Sequence, residues 1–409
     1  PNNWIANNNI THERGDMRGA HAELGYQHKW TDDHHIDVSA AYNHWGGPNF
    51  NTYLQEMDYP NLDYTDRLYR EQKQNIGVNS IETKIDYTNV IAKKFKLEAG
   101  FNGNYNHENT PVSVMQAYNA DKLTENPDLY NRFIYQNNIS ALYATFGGKV
   151  SNFSFSAGLR SESWQVKTRS LAYGQAKDEV APYKKNFFAL FPSAFISYSL
   201  PYDNEIQINY TRRIRRPWGG QLNSFRDISN PTSISYGNPE LQPQYSNAFE
   251  LNYLKSWTYH MISLSAYMRT TSNMMNRISY LDGGIIYQTF ANVAKQNNSG
   301  VEIVAKDAFF NSRLNLTTTV NLYNNHIGAW DYQFRSPEGK LFPVSGKAQN
   351  SFAWDARLMA SLRLPWDMSI QATGNYRSKQ LEAQGSRDGG WSVDAGIRKA
   401  FGKWTFSLN

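Results

Sequence analysis

Alternation with a period of two, held for about ten residues at a time, constrains this chain more than any other feature of it. Over 95–106, Phe95, Leu97, Ala99, Phe101, Gly103 and Tyr105 fall on one face, while Lys96, Glu98, Gly100, Asn102, Asn104 and Asn106 fall on the other. Later runs repeat the pattern. Leu314, Leu316, Val320 and Leu322 oppose Asn315, Thr317, Thr319 and Asn321, and Trp391, Val393, Ala395 and Ile397 oppose Ser392, Asp394, Gly396 and Arg398. Such a segment is a strand between two unlike surroundings. A β-sandwich alternates too, but its strands average five or six residues. Runs near ten match the span of a tilted strand across a bilayer. The expected fold is therefore all-β, an antiparallel transmembrane β-barrel.

Eight short polar turns separate the runs, at 31–33, 91–94, 151–152, 201–204, 256–259, 310–312, 365–367 and 401–403. Asp, Asn, Ser, Gly and Pro supply turn geometry there. Long polar connections lie between them, near 46–76, 108–137, 169–187, 216–246 and 328–349, with shorter ones near 283–284 and 382–390. Short turns on one rim and long loops on the other is the asymmetry of outer-membrane barrels. Trp30, Trp257, Trp366 and Trp404 sit at four of the short turns, as an interfacial girdle requires. The count is roughly sixteen strands. The chain opens at Pro1-Asn2-Asn3 and stops within an alternating run at Asn409, so the expectation is one barrel domain over 1–409, cut at both ends and lacking a plug.

Composition narrows the alternatives. There is no cysteine, which rules out disulfides and thiolate metal sites in this segment. A net charge of +5 without a basic helix does not suggest nucleic acid. The sequence offers no run of eighteen apolar residues, hence no transmembrane helix. His34 and His35 are adjacent, and His21 and His28 differ by seven, so each pair points to opposite faces of a strand and no metal site is implied. Neither a nucleophile elbow nor a phosphate loop is present, and neither catalysis nor a cofactor is expected.

The densest motif region is 205–254. A strand ending Tyr210-Thr-Arg212-Arg213-Ile-Arg215-Arg216-Pro217 leads into Leu222-Asn223-Ser-Phe225-Arg226-Asp227, continuing to Pro231. Gly237-Asn238-Pro239-Glu-Leu241-Gln-Pro243-Gln244 then precedes a strand carrying Phe249-Glu250-Leu-Asn-Tyr253. This region resembles the barrel of TonB-dependent outer-membrane receptors, in the outer-membrane β-barrel family common in Bacteroidetes-type bacteria. Ser224 replaces the family's usual Pro, and Gln244 its usual Glu. The resemblance implies a bacterial outer-membrane location, with lipid and lipopolysaccharide around the wall. It further implies active uptake of a small-molecule, peptide or glycan nutrient, energised by the TonB complex through the protein's own plug domain. Two other readings share the strand pattern: a passive porin or adhesin barrel, and a soluble β-rich glycan-binding protein.

Within the motif, Pro239 and Pro243 cannot donate to a ladder, so 237–244 must be a loop docking onto the next strand. Arg212, Arg213, Arg215 and Arg216 form the sharpest charge cluster. They would bind an anion near the loop rim, since guanidinium forks suit phosphate and carboxylate, or pair with lumen carboxylates such as Glu250. The connection 108–137, which contains 114–123 and Pro127-Asp-Leu-Tyr130, is expected to hold a short helix inside an extracellular loop, and to act as a lid or partner-binding loop or to pack on its neighbours.

Overall fold

The computed structural model describes residues 6–119, 121–227, 233–335 and 340–408. The part of the motif at 228–231 and the two chain ends lie outside the described residues. Sixteen strands form one antiparallel meander: β1 (Arg18–Thr31), β2 (His34–Tyr59), β3 (Tyr64–Ile91), β4 (Phe95–Tyr118), β5 (Asn131–Val150), β6 (Phe153–Leu171), β7 (Tyr183–Leu200), β8 (Asn204–Arg215), β9 (Gln244–Ser256), β10 (His260–Ser272), β11 (Gln296–Phe309), β12 (Leu314–Ile327), β13 (Gln349–Leu364), β14 (Met368–Arg377), β15 (Gly390–Phe401) and β16 (Trp404–Leu408). Each pairs with its neighbour in sequence. A further strand, Ala6–Gly15, continues the line of β1 along the upper half of β2. Among the described residues no ladder joins β1 to β16.

All eight short turns fall between successive wall strands, at the positions read from the sequence. They are tight because several residues adopt left-handed backbone, among them Tyr202, Asp203, Trp366 and Asp367. That handedness matches the twist of the flanking strands. Trp30, Trp257, Trp366 and Trp404 stand exposed along this rim.

The two faces of the wall differ as the alternation requires. Leu142, Leu159, Ile208, Leu251, Val301 and Val393 are exposed on the outer face. Across the inner face polar groups bond to one another. Tyr143 on β5 reaches over Gly100 on β4 to Asp86 on β3. A Cβ on Gly100 would lie 2.6 Å from the Tyr143 ring, so the joint needs glycine. The same device recurs where Tyr267 crosses Gly300 to Asn321, 2.8 Å away. Lys84–Glu82 and Lys96–Glu98 ion pairs complete the wet surface.

Three expectations need correction. First, 46–76 is not an open loop. β2 and β3 run on for 26 and 28 residues and meet at a single 3-10 turn, Pro60–Leu62. Above the bilayer both faces are wet, so pairing no longer needs an apolar stripe to be favourable, and the apolar period that reveals a strand fades. Second, among the described residues of 114–123 no helix forms, and the helical turn of this connection lies at 127–129 instead. β4 extends to Tyr118, and Pro127–Leu129 make a 3-10 turn whose first residue is preceded by Asn126, its side chain accepting from the Asp128 amide. The ladder with β3, Glu71↔Met115 for example, overrides the local helix preference of Met, Gln and Ala. Third, 283–284 and 382–390 do not join wall strands directly. They lie in hairpins standing above the wall, Met275–Asp282 with Ile285–Asn292 and Gln380–Glu382 with Gly385–Arg387.

Candidate functional site

The motif loop builds the site from the wall inward. Pairing of β8 with β7 stops at Thr211↔Ser193, while pairing with β9 continues to Arg215↔Gln244. The β8–β9 tip therefore leaves β7 and carries 216–227 and 233–243 across the inner face. One turn of helix, Gly219–Leu222, follows buried Pro217. Leu222 and Leu241 are 2% and 1% exposed, packed with Phe133, Tyr135, Trp164 and Val166 of β5 and β6. Burial of side chains this size stabilises by about 1.5–3 kcal/mol each, enough to hold a polar loop against the wall.

The motif's polar residues are used in closing this loop. The Gly237 amide donates to the Asn223 carbonyl and the Asn238 amide to the Gln221 carbonyl, both at 2.7 Å. Asn238 Oδ1 accepts from the Glu240 amide, and its Nδ2 donates to the Phe290 carbonyl. A Cβ on Gly237 would sit 2.6 Å from the Asn223 oxygen and 2.7 Å from that of Gln221, so only glycine allows this approach. Asp227 pairs with Ser235 through a backbone bridge, and Arg226 lies over the Tyr236 ring.

The four arginines divide into two groups. Arg216 bonds to Glu162 and lies 5.8 Å over the Trp164 ring, and Arg160 holds the other oxygen of the same carboxylate at 2.5 Å. Arg212 covers the Tyr245 ring at 5.2 Å. Arg213 faces a small groove that Glu250 also lines, and Arg215 is exposed. Glu250 is therefore not the partner of the cluster as a whole. Its ion pair runs to Arg269, at 3.9 Å, and the buried carboxylate that serves Arg216 is Glu162. Tyr210 bonds Asn247 instead of a lumen group.

Beside Arg216, Glu108 and Tyr135 lie well beyond the roughly ten residues of β4 and β5 that cross the bilayer. Burial pushes the Glu108 carboxyl up, against a lowering bond from Thr110. Burial, helped by the Glu108 charge, pushes the Tyr135 phenol up to about 12.

Between the motif loop and the extended upper halves of β2, β3 and β4 lies a cavity of about 620 Å³. Met57, Leu68 and Val112 from the wall and Phe225 from the loop supply its apolar surface, with Arg70, Gln72, Asn131, Asn223 and Asp227 as polar groups. Burial and the nearby Asp227 carboxylate raise the Tyr53 phenol on its rim. An apolar cavity of this size with a few convergent polar groups is the geometry of a small-solute site. Sequence reasoning reached Asn223, Phe225 and Asp227 but not Arg70 or Gln72. Those two sit in what reads as a featureless polar connection, and only the register Tyr53↔Arg70 and Asn51↔Gln72 brings them to the loop.

Residues 28–409 match the sequence profile of a family described as the outer membrane protein beta-barrel family. Among solved structures, the siderophore receptor PiuA from Acinetobacter baumannii is similar at 14% identity and a TM-score of 0.64, over 95% of this chain and 58% of that one. The ferric citrate transporter FecA in its unliganded form gives 14% and 0.60, over 96% and 56%. The copper transporter OprC gives 11% and 0.58, over 96% and 67%. At these identities the likeness is one of fold. The chain spans less than three fifths of the first and second of these structures. No curated protein matches the chain in sequence.

Proposed function

The chain belongs to the outer membrane protein beta-barrel family, and we propose that it forms the wall of a nutrient receptor whose uptake is energised from the inner membrane. The observation that carries this reading is the cavity held between the motif loop and the inner wall. A passive pore keeps its lumen open, whereas here Leu222 and Leu241 anchor the described parts of the motif loop, 216–227 and 233–243, inward on a buried core, and a mixed-polarity cavity is left beside the upper strands. The structures it resembles are a siderophore receptor and transporters of ferric citrate and copper. Transport through a plug domain and the TonB complex follows as part of the proposal, as does the single-domain reading of 1–409.

In this role the wall holds the plug, presents the upper strands for capture and lines the path. No side chain is asked to perform covalent chemistry. The test is uptake by cells carrying the full-length protein. A panel of siderophores, peptides and glycans is first screened for those that raise the melting temperature of the purified receptor. Uptake of the hit should stop when an uncoupler collapses the proton gradient and should fall at least tenfold in Phe225→Ala. Uptake that persists with uncoupler would make this a passive pore.

A further inference from the structure

A second lumen groove, remote from the motif loop, carries three arginines and two carboxylates. It lies at the upper ends of β13, β14 and β15, under the hairpin 380–387, and encloses about 460 Å³. Arg357 comes from β13, Arg377 ends β14, and Arg387 closes the hairpin. Register brings Arg357 beside Asn375, and Arg377 beside Asp355 on one side and Gly390 on the other. Gly389 lets the returning chain touch Arg377, since a Cβ there would meet the Arg377 carbonyl at 2.3 Å. Gln380 Nε2 anchors the hairpin to the Tyr323 hydroxyl of β12 at 2.8 Å.

Among the described residues none of these guanidiniums makes a hydrogen bond or an ion pair. Two carboxylates line the groove, fewer than the arginines, and neither is within ion-pair distance of one. Asp355 accepts from Asn321 at 3.3 Å, and Asp388 leans toward Lys379 at 3.9 Å. Asn375 and Ser392, bonded to each other at 3.2 Å, add neutral polar groups to the same wall. Three guanidiniums against two carboxylates leave the concavity net positive, which raises the local anion concentration. Arginine forks are built for carboxylate and phosphate oxygens. Arg213 and Arg215 do not form an equivalent site, because Arg213 is the one arginine lining its groove and Glu250 matches its charge there.

We propose that this groove binds a small oligoanion, carrying two or more carboxylates or phosphates, in the upper lumen. The site stands whether or not transport is energised, because it is read by direct binding.

The full-length protein in detergent is titrated calorimetrically with citrate and with pyrophosphate, and glycerol serves as the uncharged control. At least one anion should bind and glycerol should not. R357Q/R377Q should weaken binding at least tenfold and R213Q/R215Q less than twofold. Citrate binding alone would identify a carboxylate site, pyrophosphate binding alone a phosphate site. Because the variants could misfold, the unmodified protein is also treated with phenylglyoxal and mapped by mass spectrometry. The bound anion should protect Arg357, Arg377 and Arg387 at least threefold and leave Arg213 and Arg215 reactive. The proposal fails if neither anion binds, if folded R357Q/R377Q binds like the parent, or if the anion gives no selective protection. It also fails if the three arginines are unreactive even without anion.

Discussion

Gly237 shows how much a single missing atom can decide. Two backbone carbonyls approach where its Cβ would be, and their positions are set by Leu222 and Leu241 in the buried cluster below. Gly237→Ala should cost about 1–3 kcal/mol through overpacking. The effect is read as lower resistance of the motif loop to protease, with barrel mobility on gels unchanged. Glu108 makes a second prediction. Burial raises its folded pKa above that of the unfolded chain, so its contribution to stability is complete below the ordinary carboxylate value and is lost as pH rises through the raised one. Glu108→Gln keeps the acceptor for Thr110, 3.2 Å away, and removes the charge. In guanidinium titrations the Gln variant should outlast the parent at pH 8, and the two curves should converge at pH 4. A parent more stable than the variant at pH 8 would show that the carboxylate is compensated.

Strands and hairpins answer to different environments, and the predictions follow that division. On β12, Leu316 shares a face with exposed Leu322, while Thr317 shares one with Asn321, which bonds Tyr267 across the lumen. Leu316→Arg should therefore cost roughly 2–4 kcal/mol on folding into lipid vesicles, against little for Thr317→Arg. Equal costs would mean the faces are assigned the wrong way round. Above the wall, the hairpin Trp330–Arg335 with Leu341–Gly346 packs Trp330 and Phe334 onto Ile278 and Tyr280 of its neighbour. Gln384 ties the third hairpin to both the amide and the carbonyl of Ser279. These loops share one core outside the membrane. Replacing 330–346 by a short Gly/Ser linker should expose 275–292 to trypsin at Arg277 at least tenfold faster, with the wall still folded. Unchanged cleavage would show that the hairpins are independent.

Among its described residues the molecule is nearly all strand, with one turn of α-helix, Gly219–Leu222, and two 3-10 turns. Its circular dichroism should lack helical minima, and the protein should require detergent to leave the membrane fraction. A spectrum with about a third helix, the soluble average, would refute the architecture. Heat-modifiable mobility should report folding as one unit, since each wall strand pairs with the next and every strand from β2 to β15 is held by two ladders.

What the sequence determined by itself is the membrane-spanning part. Eight turns, sixteen strands and the inward or outward sense of each residue follow from one local rule, because lipid on one side and water on the other force a period of two. Gly237, Asn238 and Pro239 were legible as a loop for a similar reason: proline and glycine act on their own backbone. Beyond the bilayer that forcing ends. The continuation of β2 and β3 and the run of β4 through 114–118 as strand depend on cross-strand partners tens of residues away. Only the tertiary structure brings Glu162 to Arg216, Arg70 to the motif loop and Arg357 to Arg377 and Arg387. A charge carries no record in its neighbours of what it will face, because its long, flexible side chain takes its partner from register and loop closure, not from sequence.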